Sequence, residues 1–390
     1  MPAPTNPQDI TVAGGPAQPG TKAGQAPYSQ RLDNLERTVT QINEILNQQQ
    51  AKSTAPSGWW TDTKISGRMF YDLTYIEHKR SGVRQDSSGP GFDIKRFYLG
   101  IDHRFDDTFS ANITTDFLYD STAGATQLFI KKAYLDMNLA PEIDVRFGST
   151  DLPWVPFVED IYGYRYVEAI LIDRTKFGTS ADWGVHAKGK LANGLIHYAV
   201  AAVNGAGYKH PFTGAHTNVM DFEGRVDLDW NNFILAVGGY VGKLGKDVDS
   251  VATPHTANRF DAIAAYKTEQ VALGVEYFIA NDWNNVTSVT SDQAEGVSVF
   301  GSYKFAPMWA VFTRYDYMEP NQDTNSSLND NYFNVGITYS PAKIVDFSLA
   351  YKHEWADHGN LSTANGTIGG LTTMTDGTYD EAGVWARFRW

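Results

Sequence analysis

Along Asp221–Trp230 charged and apolar residues alternate without a break. Asp221, Glu223, Arg225, Asp227 and Asp229 fall on one side; Phe222, Gly224, Val226, Leu228 and Trp230 fall on the other. A period of two sends alternate side chains to opposite faces of a strand, one oily and one wet. Residues 380–390 repeat the pattern: Ala382, Val384, Ala386, Phe388 and Trp390 alternate with a set that includes Glu381, Arg387 and Arg389. The sequence stops on that aromatic strand, which leaves an edge that another strand must cover. The first strand, near residue 65, is the natural partner, and that pairing closes a barrel.

The connections have a rhythm. Short turns are expected at 106–107, 140–142, 192–194, 231–232, 268–270, 306–307 and 341–343. Between them lie long polar stretches at about 80–91, 120–126, 149–182, 204–219, 242–258, 280–295, 319–330 and 356–379. Short and long connections alternate, as they do in outer-membrane barrels with turns at one end and loops at the other. Aromatic residues flank the turns, among them Phe105, Phe109, Trp230, Phe233, Phe305 and Trp309, as in an interfacial girdle. Eight long loops imply about sixteen strands of roughly ten residues, wide enough for an aqueous lumen. A sandwich or propeller gives no reason for the loops to be long at one end only. The expected fold is an all-β transmembrane barrel of about sixteen antiparallel strands over residues 59–390, with an inserted third loop.

The pattern before residue 59 differs. Residues 1–28 are rich in Pro, Ala, Gly and Gln and read as a disordered leader. In 29–50, Leu32, Leu35, Val39, Ile42 and Leu46 are spaced 3-4-3-4, a heptad seam. Arg31 and Glu36 then fall at g and e positions, in an Arg-to-Glu pattern that favours three-stranded coiled coils. A helix this short is marginal alone in water, so it is expected to associate with copies of itself as a homotrimer or to lie on another surface. Residues 51–58 read as a hinge.

Composition narrows the classes. Aromatic residues make up 13% and hydrophobic residues 42%, and no apolar run is long enough to cross a bilayer as a helix. There is no cysteine, so disulfides and thiolate chemistry are excluded. A net charge of −13 argues against a nucleic-acid partner. The start, Met1-Pro2, carries no cationic, apolar leader, so an exported form is expected to have lost its signal peptide. The expected location is the bacterial outer membrane, in contact with lipid and lipopolysaccharide.

The third loop is the outlier. Ile143-Asp144-Val145-Arg146-Phe147-Gly148 leads into Ser149-Thr150-Asp151-Leu152-Pro153-Trp154-Val155-Pro156-Phe157. The chain returns much later at Trp183-Gly184-Val185-His186-Ala187-Lys188-Gly189-Lys190. A loop of that length in a compact fold is usually functional. This exit and return, with the basic strand Phe92–Gly100, resemble the trimeric sixteen-strand porins of the phosphate- and polyphosphate-selective O/P type. The resemblance implies that the loop folds into the lumen and sets a constriction. The coiled-coil leader resembles instead the dicarboxylate-admitting trimeric porins. The chain departs from the O/P pattern in lacking a basic residue at the exit and the Arg before the Gly-Val return, where Ser180, Ala181 and Asp182 stand. Its loop carries Asp151, Glu159, Asp160, Glu168, Asp173 and Asp182 against Arg165, Arg174 and Lys176. That balance argues against dedicated phosphate selectivity.

With the aromatic and aliphatic set taken as outward, Ser66, Arg68, Asp72, Arg96, Arg104, Lys132, Arg146, Lys188, Lys190, Arg387 and Arg389 point inward on contiguous strands. The farther wall is more acidic or neutral, with Asp221, Glu223, Asp227, Asp229, Glu276 and Asp316 beside Arg225 and Arg314. A basic wall facing an acidic loop would set a field across the lumen that favours small anions; charged lumen faces are also ordinary in porins. Tyr162, Tyr164 and Tyr166 alternate in the loop, either as a track for solutes or as packing against the wall. The histidines show no metal spacing, Gly238–Lys243 is one residue short of a phosphate-binding loop, and no Ser/His/acid set stands out, so neither catalysis nor a cofactor is expected. The expected function is passive diffusion of small hydrophilic solutes, favouring small organic anions such as carboxylates over dedicated phosphate capture. General or sugar diffusion is the alternative, and a tether between outer membrane and cell wall is a third reading.

Overall fold

The computed structural model describes residues 33, 35–46, 58–120, 124–211 and 216–390. The chain divides into two units, 1–58 and 59–390. In the first, residues 35–46 are helical, and Leu35, Val39, Ile42 and Leu46 are exposed, as is Glu36. The expected leader, Arg31, Leu32 and residues 51–57 of the expected hinge lie outside the described residues.

The second unit is a closed antiparallel barrel. Its strands in chain order are β1 Thr63–Arg80, β2 Gly89–Arg104, β3 Phe109–Asp120, β4 Ala125–Ala140, β5 Ile143–Asp151, β6 Ala181–Leu191, β7 Ile196–Val203 and β8 Asp221–Trp230. There follow β9 Phe233–Gly242, β10 Ala257–Lys267, β11 Val271–Asn281, β12 Gln293–Ala306, β13 Trp309–Glu319, β14 Asn329–Ala342, β15 Val345–Asp357 and β16 Gly377–Arg389. The two-residue segment Val83–Arg84 pairs with the end of β1 and brings the sheet to 17 segments. Each strand pairs with its chain neighbour, and β16 pairs with β1 from Arg68↔Arg389 to Arg80↔Gly377, so the sheet has no open edge.

Alternation sets the faces. Phe222, Val226, Leu235, Val237, Val275, Val299 and Leu349 form part of an exposed apolar outer band, while Asp221, Glu223 and Asp227 are buried inside. Lipid removes the cost of such an outer face, which water would not. Between β8 and β9 the turn is two residues, Asn231 and Asn232, both at positive φ. Asparagine tolerates that region, and the paired left-handed geometry matches the twist of the flanking strands.

Two bulges break the alternation on the inner wall. The β1–β2 register shifts between Phe70↔Arg96 and Tyr71↔Ile94, leaving Lys95 as the extra residue. The β3–β4 register shifts between Thr114↔Lys132 and Thr115↔Ile130, leaving Lys131 extra. A bulge re-aims a side chain. Lys95 and Arg96 therefore both reach lumen partners, as do Lys131 and Lys132.

Loop three, residues 152–180, is no structureless crossing. It holds helix α1, Val155–Tyr162, and the short helix α2, Leu171–Arg174. Pro156 lies in the first turn of α1, where its missing N–H costs nothing, and Gly163 at φ 79° ends the helix. Trp154, Val155, Val158, Ile161, Leu171 and Ile172 are buried against Ala236, Tyr240, Ile263, Phe278 and Phe300 on the inner face of β9–β12. Burying one such side chain is worth about 1.5–3 kcal/mol. The rule that aromatic residues face outward therefore fails on this wall. It also fails at Phe70, Phe312 and Trp385, which are buried with Tyr166 and Val167 of the loop.

Candidate pore and its constriction

The loop is fastened to the wall by polar bonds as well as packing. The Trp154 backbone N–H donates to Glu223 at 2.9 Å and its indole N–H to Glu276 at 2.9 Å. Gly238 makes room for that indole: a Cβ there would come within 2.6 Å of Trp154 Cε3. The stretch that nearly matches a phosphate-binding loop is thus a strand that seats loop three. Arg174 of α2, fully buried, holds Asp316 at 3.2 Å, Asp330 at 2.9 Å and Glu354 in one fork. On the wall itself Arg259 pairs with Asp261 at 2.7 Å and Arg314 with Asp316 at 3.0 Å. The acidic wall is therefore matched by arginines and covered by the loop, and Tyr162, Tyr164 and Tyr166 belong to that cover. Tyr162 accepts from Asn334 at 3.0 Å, Tyr166 bonds Ser348 at 2.6 Å, and Tyr164 stacks on Phe312 at 4.1 Å. They pack the loop rather than line a track.

The acidic residues of the loop are all engaged. Asp151 pairs with Lys132 at 2.5 Å and Asp160 with Lys267 at 3.0 Å. Glu168 pairs with Lys352 at 3.2 Å. Asp182, at the start of β6, accepts the backbone N–H groups of Trp183, Gly205 and Gly207. Glu159 and Asp173 both hold Arg165, the latter at 3.2 Å. The picture of an acidic tip opposing a basic wall is corrected accordingly. The side chain that loop three extends is Arg165, clipped by its own loop. Burial opposes its charge, but Glu159 and Asp173 outweigh that and hold its pKa above the ordinary arginine value. Lys176 is exposed and donates to Ser362 at 2.6 Å.

Two cavities flank this point. One, of about 700 Å³ at the turn end, is lined by Arg68, Tyr98, Lys131, Lys132, Arg165 and Arg387. The other, of about 780 Å³ at the long-loop end, is lined by Lys95, Arg96, Arg165, Tyr208 and Lys209. Arg165 lines both. Across from it the bulged strands bring Arg96 and Lys131 together. Arg96 pairs with Asp116 at 3.0 Å. Lys131 is 8% exposed, donates to the Tyr98 hydroxyl at 3.2 Å and lies 4.8 Å from the Tyr98 ring and 5.4 Å from the Tyr208 ring. Among the described residues no carboxylate comes within ion-pair distance of Lys131.

The other basic positions spread along the wall. Arg68 lines the turn-end cavity without a carboxylate partner among the described residues, in register with Arg389. Arg387 and Arg389 share Asp346, at 2.8 and 2.9 Å. Arg146 pairs with Asp136 at 3.3 Å, and Lys188 with Asp144 at 3.4 Å, in a recess beneath α1. Arg104 bonds Asp62 at 3.3 Å at the turn-end rim, and Lys190 is exposed near that rim. Arg68, Lys132 and Arg387 therefore join Arg165 around one cavity and Arg96 meets it at the other, while Arg104, Arg146, Lys188 and Lys190 stand apart. Lys95 and Lys131 were not expected inside. The chain does carry a signal: the apolar parity switches from Phe92 and Ile94 to Phe97 and Leu99, and from Leu128 and Ile130 to Ala133 and Leu135.

No protein-family profile matches the chain, and no curated protein matches it. Solved structures do. An anion-selective porin from Comamonas acidovorans aligns over 84% of this chain and 99% of its own, at 12% identity and a TM-score of 0.62. The outer membrane channel DcaP of Acinetobacter baumannii aligns over 84% and 97%, at 17% identity and 0.55. Salmonella typhi OmpF aligns over 84% and 97%, at 12% identity and 0.57. The fold is that of outer-membrane channels. At these identities the likeness is one of architecture.

Proposed function

We propose that this chain is an outer-membrane porin through which small hydrophilic solutes diffuse passively, with a preference for small organic anions such as carboxylates and, in the same charge class, phosphate. The observation that carries the preference is Lys131: a buried ammonium with aromatic and hydroxyl neighbours but, among the described residues, no carboxylate at ion-pair distance, beside Arg96 and across from Arg165. A cation without a fixed counter-ion attracts a passing one. Its neighbours Arg96 and Arg165 keep their charge at any working pH. Because their own acids partly satisfy them, each site is weak enough for an anion to leave, which conduction requires. The path runs past Arg165 from one cavity to the other.

Reversal potential across a salt gradient tests this. Wild type should prefer anions, and Lys131→Gln should weaken that preference. Cation preference in the wild type, or no change in the variant, removes the basic-passage mechanism. General diffusion is then the reading left. It draws support from the paired state of Arg146, Lys188, Lys132 and Arg387 and from the net charge of −13.

The helix at 35–46 belongs to the same reading as a trimerisation element. Its seam residues Leu35, Val39, Ile42 and Leu46 are uncovered in the single chain, and a short helix with an uncovered apolar stripe needs partners. Native mass in detergent should give a trimer, with Val39→Asp melting the coil first; monomers alone would refute the assignment. A tethering role instead predicts that removal of 1–57 disrupts envelope attachment and leaves conductance intact.

A further inference from the structure

The connection between β15 and β16 contains a small hairpin, Asn360–Thr363 paired with Gly366–Gly369. A lone two-stranded hairpin is barely stable in water, and the tip of an external loop is ordinarily exposed. This one is not. Leu361 packs in the same apolar cluster as loop three, and Ile368 is buried with Leu328, Ala356 and Tyr379.

Its polar contacts run inward. The Ala364 N–H donates to the Arg174 carbonyl of loop three at 2.7 Å, and Lys176 of loop three donates to Ser362 at 2.6 Å. Asn365 donates to Glu354 at 2.7 Å, the carboxylate that Arg174 also grips. On the other flank the His78 ring meets the Thr367 carbonyl at 3.1 Å, and Arg80 donates to the Gly370 carbonyl at 2.9 Å. The hairpin is thus bonded to loop three, to β15 and to β1. Ala364 and Asn365 at its turn line the long-loop cavity together with Arg96 and Arg165.

We propose that the hairpin at 360–369 is a second inserted segment: it braces loop three and, with it, sets the size limit for solutes arriving from the long-loop end. This rests on the channel reading above and adds a determinant of size to its determinants of charge. Loop three supplies the arginine of the passage; the hairpin supplies the opposing rim, which carries no charge at Ala364 or Asn365. Size and charge selection are therefore separable.

The test replaces 360–369 with a short glycine linker and measures unitary conductance and the swelling of proteoliposomes in sugars of increasing size. Conductance should rise roughly two-fold or more as the outer rim widens, larger sugars should enter, and anion preference should keep its sign. Unchanged conductance with an unchanged size limit overturns the proposal. Because the chain has no cysteine, Asn365→Cys gives a second measure that needs no deletion. A bulky thiol reagent there should cut conductance by about half or more, and a fully conducting labelled variant overturns the proposal. A silent wild type would tell against the channel reading instead. In that case the hairpin is judged by labelling Thr179→Cys, in the cavity wall, from outside intact cells. Labelling should be faster without the hairpin, and equal rates overturn the proposal.

Discussion

The indole of Trp390 lies directly against Gly67. A Cβ built at Gly67 would meet Trp390 Cε2 at 2.0 Å, while Gly67 N–H donates to the Trp390 carbonyl at 3.0 Å and Trp390 N–H donates back to Gly67 at 3.2 Å. The last residue is thus locked into the first strand, with Phe97 packed on its ring at 5.6 Å. Gly67→Ala must displace an indole held at its backbone, and overpacking of that kind costs about 1–3 kcal/mol. Thermal unfolding in detergent, followed by the mobility shift of the compact barrel, should show a lower midpoint. Gly91→Ala, where nothing lies within 4 Å, is the control. Equal midpoints for the two variants would refute the role of the contact in closure.

The outer band makes a second prediction. Val226 is 51% exposed on β8 and pairs with Val237 on β9. An arginine at mid-membrane on a lipid face costs roughly 2–4 kcal/mol. Val226→Arg should therefore assemble poorly into bilayers, and Lys190→Gln, near the turn-end rim, should assemble normally. Equal yields would mean that the outer face had been misread. The neighbouring Asp227 is not a neutral lumen control, because it holds Arg225 at 2.8 Å and His197 at 2.9 Å.

These faces were legible in the sequence because a strand writes its two environments into alternate residues. Asp221–Trp230 shows this, and the rhythm of turns and loops gave the barrel and its closure. The inner wall was less legible. Phe278, Phe300 and Phe312 point inward because loop three covers them, and no local pattern tells a lipid-facing phenylalanine from a loop-covered one. Lys131 needed the parity switch between Ile130 and Ala133, which a fixed alternation steps over. The fork of Arg174 joins carboxylates on three different strands, so only the closed barrel brings them together.

That fork is the point from which loop three should be easiest to loosen. Arg174→Ala leaves Asp316, Asp330 and Glu354 facing one another without a cation from the loop. Removing one partner of a buried ion pair typically costs about 3–5 kcal/mol. Arg174→Lys should recover only part of this, since one ammonium cannot copy the planar fork. Both variants should unfold at lower temperature, and Arg174→Ala should conduct with a larger, noisier unit current as the loop leaves the wall. A quiet current of wild-type size would show that apolar packing alone holds the loop.

The last prediction concerns pH and follows from Glu159 on α1. Burial pushes its carboxyl above the ordinary glutamate value, although Arg165 pulls the other way. A carboxyl whose folded pKa is raised stabilises the fold fully below its unfolded value, and that contribution is lost as pH rises through the folded value. Glu159 therefore takes up a proton at a higher pH than an exposed glutamate does. Glu168 behaves oppositely: burial raises it, but Lys352 and Lys95 outweigh that and hold it below the ordinary value, so it keeps its charge and its grip on the wall. Acidification thus removes the Glu159 charge before that of Glu168 and leaves Arg165 with Asp173 alone. Losing one nearby negative charge should favour anions by about 1 kcal/mol, a few-fold in permeability ratio. Reversal potentials should show anion preference rising from neutral to mildly acidic pH in the wild type. Glu159→Gln should show the higher preference already at neutral pH, with little further change. A wild-type preference that falls on acidification, or a variant with the same pH slope, would mean that Glu159 does not govern the charge of Arg165 in the passage.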